Sequence, residues 1–97
     1  MREIDLAVYA DALAGESAAL SARAERIRSR LRQSKIERQA RNDLPATIVD
    51  RLESLSLLGA TDERAAHAEL RDLEESLAAL EQLQAWVEGE LSATNAA

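Results

Sequence analysis

Large apolar side chains recur every seven residues near the start of the chain, at Leu6, Leu13, Leu20 and Ile27. Ala10, Ser17, Ala24 and Leu31 are interleaved with them, and Tyr9 lies on the same stripe. A beat of this kind puts all of its members on one face of an α-helix, whereas on a strand it would scatter them over both faces. A second run, Ala66, Leu70, Leu73, Leu77, Leu80, Val87 and Leu91, steps by threes and fours with one gap at Gln84. Both read as coiled-coil seams. In the first seam, large residues in one register and small ones in the other let two backbones approach closely.

Composition agrees with the periodicity. The 97 residues include twenty alanines and fifteen leucines but one Trp, one Tyr, no Phe, three Gly and one Pro. Such a chain favours long helices over sheets. A 46% hydrophobic share excludes a disordered chain, and the length suits a single helical domain spanning 1–97.

The strongest punctuation is central. Asn42-Asp43-Leu44-Pro45 closes one helical segment and opens another, with Pro45 at the first helical position and Asp43 as a nearby cap. Gly59 reads as a left-handed stop after Leu57-Leu58, and Thr61-Asp62 offers caps for the next helix. The expected helices are about 3–41, 45–57 and 62–91, with a frayed tail at 92–97. The expected fold class is therefore all-α, an antiparallel long-helix hairpin with a short middle helix. The apolar stripe Ile48, Val49, Leu52, Leu55 of the middle helix is expected to be buried near Ile27 and Leu31.

One seam does not use all the apolar surface. Val8, Ala12, Gly15, Ala19 and Ala22 fall on the side of the first helix away from the leucines, and Leu83 and Trp86 are rotated off the second stripe. An antiparallel hairpin brings these two regions to one end. They form the expected dimer interface, through which two chains make a dimeric four-helix-type bundle. Small domains with thin cores often need oligomerisation.

Charge is uneven. Residues 23–41 hold eight basic side chains against Glu25 and Glu37, in a chain of net charge −6. Arg28, Arg32, Lys35 and Arg38 are the candidate anion-binding residues, for nucleic acid or another polyanion. The acidic chain and the absence of interleaved aromatic side chains argue against nucleic acid. The favoured expectation is pairing with the acids at the start of the third helix: Asp62, Glu63, Glu69, Asp72, Glu74 and Glu75.

Little chemistry is visible. Zero cysteines remove disulfides, thiolate metal sites and cysteine nucleophiles, and fit a cytoplasmic protein. No basic stretch leads into an apolar run at the N-terminus, and Asp11 and Glu16 interrupt the least charged segment, so neither a secretory leader nor a membrane span is expected. His67, the single histidine, pairs with Glu63 at i, i+4 and reads as a solvent-facing helix residue. No metal and no cofactor is expected.

Arg2-Glu3-Ile4-Asp5 and Asp50-Arg51-Leu52-Glu53 distantly resemble sequences of the small helical chorismate mutases, which have a long, a short and a long helix. That resemblance implies electrostatic stabilisation of a dicarboxylate transition state, with Arg30 and Lys35 as clamps. The family's spacing between its first-helix arginines and lysine is not reproduced. The leading expectation is a non-catalytic helical interaction module, an adaptor, assembly subunit or regulator, that forms a homodimer and binds a protein partner. A nucleic-acid-associated protein using residues 23–41 is the alternative, and the enzyme ranks third.

Overall fold

The structure, a computed structural model, describes residues 5–95. Three helices follow in order: α1 Leu6–Asp43, α2 Ala46–Ser54 and α3 Glu63–Asn95. The fold is all-α, with α1 and α3 packed as a hairpin and α2 between them in sequence. No helix among the described residues is long and apolar enough to cross a membrane.

Local chemistry sets the helix ends. Asp5 caps α1: its carboxylate accepts a 2.9 Å bond from the Ala7 amide, and its carbonyl accepts the first helical bond from Tyr9. The described helix begins at Leu6; Glu3, the expected start, lies outside the described residues. Asp62 caps α3 in the same way, accepting from the Ala65 amide at 3.0 Å and the Ala66 amide at 3.0 Å. α3 continues through the expected frayed segment to Asn95, while residues 96 and 97 of that tail lie outside the described residues.

The middle of the chain departs from expectation at four points. Pro45 sits just before α2 as its cap, with ψ at 148°, and Ala46 is the first helical residue. Asp43 does not cap α2; it is the last residue of α1 and accepts a hydrogen bond from Gln39. α2 ends at Ser54, three residues early, because Ser56 adopts the left-handed conformation with φ 59°. The Leu57 amide then reaches the Leu52 carbonyl at 2.9 Å and the Ser56 amide the Glu53 carbonyl at 3.0 Å, the paired bonds of a Schellman stop. Gly59 has no positive φ and plays no part in that stop.

The fourth departure is burial. α2 has no buried residue: Val49 and Leu52 are half-buried, while Ile48 is 44% and Leu55 60% exposed. The burial expected for this stripe is thus only partial. A polar tether holds the segment instead. Arg41 of α1 donates a 2.9 Å bond to the Gly59 carbonyl and lies 3.5 Å from the Glu53 carboxylate.

The chain divides into two compact units. The first joins α1 up to Ala24 with α3 from Arg71 onward. Its core is Leu13, Ala24, Leu73 and Val87, flanked by half-buried Leu6, Leu20, Leu77, Leu80 and Leu91. These are the two expected stripes. The gap at Gln84 is filled by a polar partner, since Ser17 Oγ donates a 2.9 Å bond to Gln84 Oε1. The second unit is Glu25–Leu70. Its buried residues are Ile27, Ser34, Glu37 and Ala66, so two of the four are polar.

Candidate functional site

The seven residues expected at a dimer interface all lie in the first unit. Val8, Ala12, Gly15, Ala19 and Ala22 are exposed on α1; on α3, Leu83 is half-buried and Trp86 is 62% exposed. The seam consumes none of them. Ala12 and Ala19 on α1 and Leu83 and Trp86 on α3 are rotated off their seams by roughly 80–140° in the same sense. In an antiparallel pair, equal rotations bring side chains to one flank. Val8, which is 62% exposed, Gly15 and Ala22 are spaced seven residues apart and so share one line farther round the back of α1. A side chain added at Gly15 would meet nothing within 4 Å. The backbone there approaches no other part of the chain, although a helical glycine costs about 1 kcal/mol relative to alanine.

The basic stretch is sorted by what each side chain meets. Arg28 lies 2.7 Å from Glu25, one turn away on the same helix. Arg38 donates to Glu63 Oε1, the same oxygen that accepts a 2.7 Å bond from the buried Ser34 hydroxyl. The Ser34 bond, then the Arg38 guanidinium, hold the Glu63 carboxyl below the ordinary glutamate range. The expected pairing with the start of α3 is therefore realised at Glu63.

Arg32, Lys35 and Arg38 line a groove of about 370 Å³ with Leu31, Glu63 and His67. Three of the four candidate anion-binding residues thus converge; Arg28 is not in the lining. Arg30 lines another depression with Asp62 and Glu69, so Arg30 and Lys35, the clamps implied by the mutase resemblance, do not share a groove. Arg2 lies outside the described residues.

Two residues took on roles that sequence reasoning did not assign. His67 forms the far wall of the groove, a position set by the register between α1 and α3. Glu37, counted only as one of two acids in the basic run, is 4% exposed and accepts a 3.1 Å bond from Gln33. Its proximity to Gly59 depends on a loop path that periodicity does not encode. Among the described residues, no three His, Asp or Glu side chains cluster as a metal site requires. Comparison with protein-family models, curated proteins and solved structures finds no match to this chain.

Proposed function

We propose that this chain is a non-catalytic helical interaction module whose first partner is a second copy of itself, the two hairpins pairing into a four-helix bundle. The carrying observation is the exposed apolar flank of the first unit: Trp86 is 62% exposed, and Ala12 and Ala19 are exposed on the same side, where the seam uses none of them.

The first-unit flank supplies a surface of the right chemistry in Ala12, Ala19, Leu83 and Trp86, with exposed Val8 bordering it on α1. A cytoplasmic location fits the cysteine-free composition.

Ala19→Glu tests the reading. A carboxylate at a close helix crossing should raise the dimer dissociation constant by at least ~tenfold while leaving the helical signal of each chain intact. A dimer indifferent to Ala19→Glu would remove this flank from the interface.

A further inference from the structure

Arg32, Lys35 and Arg38 follow one another at i, i+3 and i+6 along one flank of α1, so their charged ends converge and do not spread round the helix. His67 faces them from α3 across the same groove. Glu63, the single carboxylate in the lining, is already engaged by Ser34 and Arg38. That contact holds Arg38 at the groove with most of its five donors unused. Neither Arg32 nor Lys35 forms an ion pair among the described residues. With His67 neutral, the lining carries two net positive charges, and Leu31 gives it a half-buried apolar floor.

We propose that this groove is a binding site for a small phosphate-type dianion, with Arg32 and Lys35 as its principal charge partners, Arg38 as a positioned donor and His67 as a hydrogen-bonding wall. The chemistry matches on three counts. Two net charges complement a dianion. Arginine presents a planar fork of donors suited to two phosphate oxygens at once. Leu31 offers an organic phosphoester a surface for its carbon skeleton.

A polyanion strip is the poorer fit. It requires cations spaced along a backbone, whereas Arg28 is engaged with Glu25 and Arg30 lines its own depression beside Asp62 and Glu69. The site lies in the second unit and does not depend on the proposed self-association.

The test is a titration of the full-length chain with inorganic phosphate at physiological salt, followed by nuclear magnetic resonance at the His67 ring and the amides of residues 31–38. Saturable shifts confined to these positions are expected. Arg32→Ala with Lys35→Ala should weaken binding by at least ~tenfold. Arg26→Ala with Arg30→Ala removes the same net charge outside the groove and should change it by less than about twofold. All four side chains are exposed, so neither pair disturbs the core. Absence of a saturable shift would overturn the proposal, as would equal losses in the two double variants. Duplex DNA that bound more tightly than phosphate at that salt, with both variant pairs impaired alike, would overturn it in favour of a polyanion strip.

Discussion

The hydroxyl of Ser17 on α1 and the amide oxygen of Gln84 on α3 are joined by a 2.9 Å hydrogen bond inside an otherwise apolar seam. Each residue occupies a seam position where the other helix has no apolar partner to offer. A leucine seam tolerates sliding by a heptad, because every layer resembles the next. A single polar pair removes that freedom, since any other register leaves both groups facing leucine or alanine.

Removing one member of the pair should therefore cost stability. Ser17→Ala and Gln84→Ala are each expected to destabilise by about 0.5–1.5 kcal/mol in chemical denaturation. Ser17→Ala combined with Gln84→Leu should recover or exceed the original stability but give more than one set of amide resonances, as the register loosens. A single sharp set in that double variant would show that the leucines alone fix the register.

Glu63 predicts an acid dependence of stability. Its carboxyl titrates below the ordinary glutamate range because Ser34 and Arg38 donate to its ionised form. The unfolded chain thus binds the proton more readily than the folded one. The contribution is complete above the ordinary glutamate pKa and is lost as pH falls through the lowered value. Glu63→Gln should lower the melting temperature near neutral pH, and the gap to the natural chain should close on acidification through that window. A gap independent of pH would assign the effect to packing.

The turn after α2 yields a pair of opposite expectations to those of the sequence. Ser56 carries the left-handed conformation with φ 59°, and Gly59 does not. Ser56→Gly should stabilise by up to ~1 kcal/mol, the relief of left-handed strain less the added freedom of the unfolded chain. At Gly59 an added side-chain carbon would sit 3.8 Å from the Glu37 carboxylate, an ordinary contact. Gly59→Ala should be neutral or stabilising by about 0.4–1 kcal/mol. Melting curves of the two variants check both values.

The middle helix should tolerate truncation better than the seam. Leu13→Ala and Ile27→Ala remove buried side chains and are expected to cost about 2–5 kcal/mol. Leu52 is half-buried on a helix with no buried residue, so Leu52→Ala should cost about 1 kcal/mol, less than either. Equal losses at Leu52 and Leu13 would place α2 in the core.

How far the sequence was legible follows from where the information is repeated. The seam is written many times, at Leu13, Ala24, Ile27, Leu73 and Val87, and each reappears as a buried residue. Asp62 was readable as a cap because its acceptor chemistry acts over three residues. Events that depend on one unrepeated contact were not readable. Ser56 takes a conformation usually reserved for glycine because the Leu57 and Ser56 amides find carbonyls at Leu52 and Glu53. Glu37 is buried beside Gly59, and Arg41 holds that loop by its carbonyl. In the groove, the row Arg32, Lys35, Arg38 was visible as spacing on one helix. His67 joined it only through the register between two helices.

Self-association is read out by sedimentation equilibrium of the natural chain across the micromolar range. A species of twice the 10.6 kDa chain mass, dissociating on dilution and weakened by Ala19→Glu, is the result predicted here. A 10.6 kDa monomer throughout that range, with Trp86 fluorescence unchanged by concentration, would contradict it.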